Sequence, residues 1–226
     1  MARPIPYPSG LTTWASVGTG RQVLRGLIVG LILSVLISAG VWMLSTSVES
    51  KMFSNETMLA KFCQWLYDSK IGSGIRESIW VFPIVEGTHL LGIALSVGLL
   101  CWFDLRLLGI VLRDQPVSKV WRQVMPVAFV GFALMFASGL LLFWAEAITA
   151  YHSVHFWIKV LLLVAAGVNA LSFETTAHRN MAAWDTAPVP PLRARMTGAI
   201  SLILWTAIII TGRTRGYYGN PSGHQT

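Results

Sequence analysis

Charge is what this sequence has least of. Of its 226 residues only 12% are Asp, Glu, Lys or Arg, and the mean hydropathy is +0.60; soluble domains carry roughly twice that charged share. The shortage excludes a water-soluble fold and leaves no room for a separate soluble domain. Cysteine is scarce as well: Cys63 and Cys101 lie in different segments, so there is no disulfide framework, Cys-x-x-Cys pair or thiolate metal site. The chain also lacks a glycine-rich phosphate loop, a GxSxG elbow, HExxH and the Cys-x-x-Cys-His of covalent haem attachment. Nucleotide-driven and serine-hydrolase mechanisms are thereby set aside. The net charge of +7 does not point to nucleic acid, because the basic residues are scattered at the ends of apolar runs rather than gathered with aromatics on one polar segment.

What the sequence has in abundance is apolar runs of membrane-spanning length, about 20 residues each. They predict one membrane domain over residues 1–226, an all-α integral membrane bundle of about five transmembrane helices with a short interfacial amphipathic helix. The first span, about 24–44, follows Arg21 and Arg25 and is longer than the apolar core of a secretory signal. In the polar connection 46–78, Met58, Leu59, Phe62, Trp65 and Leu66 recur at helical spacing among Lys61, Gln64 and Asp68, which predicts a helix lying on the membrane surface. The second span covers about 79–104, its amphipathic pattern running on toward Arg113 until Pro116 interrupts. The third and fourth, about 124–147 and 154–176, are joined so closely that they are expected to form an antiparallel hairpin. After Pro188, Pro190 and Pro191 comes the fifth, about 196–212, and then a tail, 213–226, with the composition of a flexible end.

Orientation follows from Lys and Arg. With the N-terminus in the cytoplasm, ten basic residues fall on the cytoplasmic side against six on the other, and the connection 148–153 has none. The C-terminus is then expected outside.

Polar residues inside such spans are costly and are functional candidates by default. Glu86 and His89, three apart in the second span, share one helical face in its outer part; the reading that competes with ligation or proton handling is a hydrogen bond to each other or to a neighbouring helix. Glu146 ends the third span, and His152 and His155 begin the fourth, with Lys159 one turn below His155. The predicted topology gathers all of these in the outer half of the bundle. The competing reading makes His152 and His155 interfacial residues in an aromatic belt with Tyr151, Phe156 and Trp157. At the inner ends, Glu174, His178, Arg179, Asp185, Asp104 and Arg106 read as ion pairs that fix helix ends, with His178 also a candidate haem ligand. Asn169 is placed to donate a hydrogen bond between helices. Gly92, Gly98, Gly131, Ser138, Gly139 and Gly167 are expected at close helix contacts.

The stretches Val85-Glu86-Gly87-Thr88-His89-Leu90-Leu91-Gly92, Asp104-Leu105-Arg106-Leu107-Leu108-Gly109, and Phe156-Trp157-Ile158-Lys159 before Asn169-Ala170-Leu171 resemble an uncharacterised family of small multi-helix bacterial inner-membrane proteins, over roughly residues 79–185. A fainter likeness is to b-type cytochrome and copper-resistance D-type bundles. These resemblances imply a bacterial inner-membrane location and, in the first place, haem b held by His89 with His155 or His178 for electron transfer, alone or as the membrane subunit of a redox complex, with quinone or other subunits as partners. By rise alone His89 lies roughly 10 Å deeper than His155, so helix tilt is needed to bring them together. The alternative is a copper or zinc site near the outer face, drawing on Glu86, His89, Glu146, His152 and His155. A third reading, without a cofactor, is a non-catalytic subunit that docks a larger membrane complex through its small-residue faces.

Overall fold

The computed structural model describes residues 57–218, with side chains as far as Arg213. The predicted first span, 24–44, and the final residues of the predicted tail lie outside them. Within them the fold is all-α, and four helices are long and apolar enough to cross a membrane. Two short helices come first, α1 (Met58–Asp68) and α2 (Lys70–Arg76). The long helices are α3 (Val81–Leu107), α4 (Val117–Ala145), α6 (Val154–Ser172, continued by a π-helical turn Phe173–His178) and α7 (Leu192–Tyr218), with the short α5 (Ala147–Tyr151) between α4 and α6. One end of the bundle is thus capped by α1, α2 and α5, and the other is closed by loops 108–116 and 179–191.

Helix boundaries follow local chemistry. Thr57 caps α1 by accepting from the Ala60 N–H at 3.1 Å. Ser69 ends α1 and starts α2, accepting from Gly72 N–H at 3.1 Å and from the Trp144 indole at 2.9 Å, which fastens both short helices to the end of α4. Arg76 adds to this, donating to the carbonyls of Tyr67 at 3.1 Å and Ala145 at 2.9 Å. Pro83 stands in the first turn of α3, where a missing N–H costs nothing.

At the opposite end, the predicted continuation of the second span toward Arg113 does not form. Gly109 takes φ +69°, a left-handed conformation that a residue with a Cβ adopts at a cost. Its N–H bonds to the Arg106 carbonyl and that of Ile110 to Leu105, each at 3.0 Å, which closes the helix there. The third span starts seven residues earlier than expected, directly after Pro116, where Asp185 from a distant loop accepts from the Ser118 N–H of its first turn. The last helix begins directly after Pro191 and runs beyond the predicted end at 212.

The tightest packing joins α3 to α4. A Cβ on Gly92 would lie 2.6 Å from Met135 N, and one on Gly131 would lie 2.6 Å from Ser96 N, so each glycine receives the other helix's backbone. Gly198 does the same for α7 against α3, a Cβ there meeting Asp104 O at 3.1 Å. Gly98 and Gly167 have open space around them and take no part. Asn169 donates to the Thr197 carbonyl at 3.0 Å, the expected interhelical bond, joining α6 to α7; such a bond contributes on the order of 1 kcal/mol. The hairpin expected of the third and fourth spans is looser than foreseen. These helices are linked through α5, α6 has its closest backbone partner in α7, and α4 meets α6 through side chains such as Phe143 stacked on Phe156 at 5.3 Å. All four long helices converge on one apolar layer of Val97, Met135, Ala166, Trp205 and Ile208.

Candidate functional site

The apolar layer separates two polar regions. Toward the capped end, His89 projects from α3 against α4. Its Nδ1 is 2.9 Å from the Met135 carbonyl oxygen and 3.2 Å from Ser138 Oγ. A carbonyl can only accept, so Nδ1 carries the proton and, in the neutral ring, Nε2 keeps the lone pair. The ring fits because residue 139 is glycine: a Cβ there would lie 3.0 Å from His89 Cε1. Ser138 is buried and turns its hydroxyl to its own helix as well, donating to Leu134 O at 2.5 Å. Glu86 of α3 and Lys159 of α6 are both close enough to act on His89 electrostatically.

His155, in the first turn of α6, is buried, and its Nε2 is cut off from solvent with no hydrogen-bond partner. Lys159 lies one turn along the same face, its amine against the backbone of α7 at Gly212. The other predicted residues of this half are spread out. Glu86 is exposed on α3, Glu146 is half-buried at the joint between α4 and α5, and His152 packs edge-on to Tyr151 at 5.1 Å in a shallow recess with Lys61 and Gln64. Among the described residues no three His, Cys, Asp or Glu side chains form a group able to hold a metal ion.

His178 belongs to the other end. It stacks on Trp121 at 4.7 Å, beside Phe173, and its Nδ1 meets Glu174 at 3.0 Å. The Glu174–His178 pairing expected from the sequence is present as a side-chain contact, but Arg106 and Asp104 depart from that expectation. Arg106 is fully buried, and its guanidinium donates to backbone carbonyls: Gln115 at 2.9 and 3.1 Å, Ala187 at 3.2 Å and Arg113 at 3.5 Å. It is a staple between the two loops. Loop carbonyls engage its Nε and Nη2 without the entropy of ordering a second side chain, while Nη1 is buried with no hydrogen-bond partner. Asp185 caps α4, accepting from Ser118 N–H and Ser118 Oγ, each at 2.7 Å. Partial burial pushes its carboxyl upward, but those two bonds and the charges of Arg122 and Arg106 outweigh this and hold it below the usual range.

The family model for a family of unknown function, DUF6644, matches residues 80–218, which takes in all four of these spans. The chain belongs to that family. No curated protein and no solved structure matches it. The matched residues include His89 with its Met135, Ser138 and Gly139 surroundings, and also His155, Lys159, the Arg106 staple and Asp185; α1 and α2 lie before them. Sequence reasoning singled out His89 but missed what holds it. The available signal was the adjacent pair Ser138-Gly139, small residues in the middle of a span otherwise rich in Leu and Phe.

Proposed function

We propose that this membrane protein is a b-type haem electron carrier, acting alone or as the membrane subunit of a redox complex, in which His89 would be one of the residues that hold the iron. The observation that carries the reading is the bond from His89 Nδ1 to the Met135 carbonyl. A ligating histidine almost always donates its other ring N–H in this way, which fixes the tautomer and raises the basicity of the ligating nitrogen. His155 is the partner ligand we favour, because its buried Nε2 lacks any hydrogen bond, a cost that iron ligation removes. Lys159, whose charge reaches His89, is one turn from His155 on the same helix. His178 is roughly 34 Å from His155 by helical rise and is not part of this pair.

Haem would supply one-electron chemistry. The chain's own residues would hold the iron, and the Val97, Met135, Trp205 and Ile208 layer would keep water from the site on the side of the opposite end. We place the protein in the bacterial plasma membrane with the N-terminus cytoplasmic and the C-terminus outside, on the strength of the Lys and Arg bias, and take quinone or a membrane redox subunit as its partner.

The test is an oxidised and dithionite-reduced spectrum of gently solubilised protein, with elemental analysis of the same sample. The reading requires a b-type difference signal that His89→Ala abolishes and His178→Ala leaves intact. Protein without haem overturns it: stoichiometric copper or zinc would then favour the metal site, and neither would favour a cofactor-free subunit.

A further inference from the structure

Asp104 is the most deeply placed carboxyl among the described residues. It is 3% exposed, and its Oδ2 is shut off from solvent with no hydrogen-bond partner. Its surroundings explain why nothing neutralises it as an anion. Gly198 draws the backbone of α7 against Asp104, and Ser201, one turn further along α7, is the hydrogen-bonding group that faces the carboxyl. On its own helix the titratable neighbour is Cys101, one turn away. Arg106, two residues along, turns its guanidinium to the carbonyls of Gln115, Arg113 and Ala187. Among the described residues no Lys, Arg or His forms an ion pair with Asp104. An ionised carboxylate enclosed without a counter-ion costs several kcal/mol, whereas the neutral acid does not and can use its O–H as a donor.

We propose that Asp104 is a proton-binding site at the contact of α3 and α7, resting as the neutral acid and exchanging its proton with water at the loop end. That end is near: α3 stops three residues later, at Leu107, a rise of about 5 Å. The proposal does not depend on the haem reading, because the site lies on the other side of the apolar layer from His89.

The test is infrared spectroscopy of the full-length protein in lipid at neutral pH. The wild type should show a protonated-carboxyl stretch that shifts in heavy water and disappears in Asp104→Asn. Glu86→Gln should leave that band in place, since Glu86 is the other carboxyl in the same helix. Ser201→Ala, which keeps the carboxyl but removes the hydroxyl facing it, should move the band's frequency, and this variant decides the matter if Asp104→Asn fails to fold. The proposal is overturned if the wild type lacks the band, if the band survives in Asp104→Asn, if Ser201→Ala leaves its frequency unchanged, or if it does not shift in heavy water, which would make the acid a sealed structural element.

Discussion

His89 Nδ1 and the Met135 carbonyl oxygen meet at 2.9 Å across the α3–α4 contact, and the imidazole lies where a side chain at residue 139 would otherwise be. Gly139→Val should therefore displace the ring while leaving every histidine in place. On the haem reading, cofactor content should fall about tenfold or more, the range seen when an outer-shell partner of a ligand is lost. Ser138→Ala removes only the 3.2 Å contact and should reduce it less. Haem quantified per purified protein separates the two variants.

The reciprocal glycines set the distance between α3 and α4. Gly92→Val and Gly131→Val each place atoms where a Cβ alone would already lie 2.6 Å from the facing backbone. Overpacking typically costs about 1–3 kcal/mol, and the stiffness of a helix backbone puts these sites at the upper end. Gly98→Ala, a substitution into open space in a helix interior, is the control and should not lower the thermal midpoint in detergent.

Arg106 holds the two loops together through backbone acceptors, so truncation leaves several buried carbonyls without a donor at about 1–3 kcal/mol each. Arg106→Ala should lower stability by about 3 kcal/mol or more. Arg106→Lys should recover little, because one ammonium cannot replace a planar fork whose Nε and Nη2 both hold the Gln115 carbonyl while Nη2 also reaches Ala187. Protease nicking in loop 108–116 would report the loss.

Asp185 gives the fold a dependence on acid. Its carboxyl is held below the ordinary range in the folded state, so its contribution is fully present above the unfolded value of about 3.9 and is lost as pH falls below that value, through the lower folded one. Asp185→Ala should cost about 1 kcal/mol, the usual value of an N-cap, at neutral pH, with the difference from wild type shrinking in acid. Thermal melts of both proteins across that range would show the convergence.

Cys63 monitors the docking of α1. It is buried with Ala60 and Leu66 against Ala147 and Tyr151, and burial pushes its thiol upward, so alkylation of the folded protein should be slow. Ala147→Leu should lift α1 and speed the modification severalfold in a Cys101→Ser background. Mass spectrometry of timed maleimide reactions gives the rates. The outward face of α1, with Phe62 stacked on Trp65 at 5.9 Å and Lys61, Gln64 and Asp68 on a third side, has the arrangement of a helix lodged between protein, lipid and water.

How much of this was legible in the chain differs from residue to residue. Glu174 and His178 are one turn apart on one helix, so their pairing could be read from spacing. Arg106 and Asp185 were read as members of ion pairs, because opposite charges near helix ends suggest little else. Their actual partners, the carbonyls of Gln115 and Ala187 and the hydroxyl and N–H of Ser118, are groups that almost any sequence offers and that only a loop's path can select. His155 was read as a haem-ligand candidate and His152 was not, although an aromatic belt could have claimed both; His155 is buried with an orphaned nitrogen and His152 lies in a surface recess.

The sequence by itself determined that this is an all-helical membrane protein, where four of its spans lie to within about seven residues at either end, and that α1 is amphipathic, because apolar length and helical periodicity are properties of contiguous residues. Tertiary structure alone decided which helices pack backbone to backbone, what the spacing of His89 from Met135 would be, and that Asp104 would be enclosed without a counter-ion. Those outcomes depend on how close residues some 35 to 95 positions apart are brought, and glycines at 92, 131, 139 and 198 allow that approach only when the right partner stands opposite.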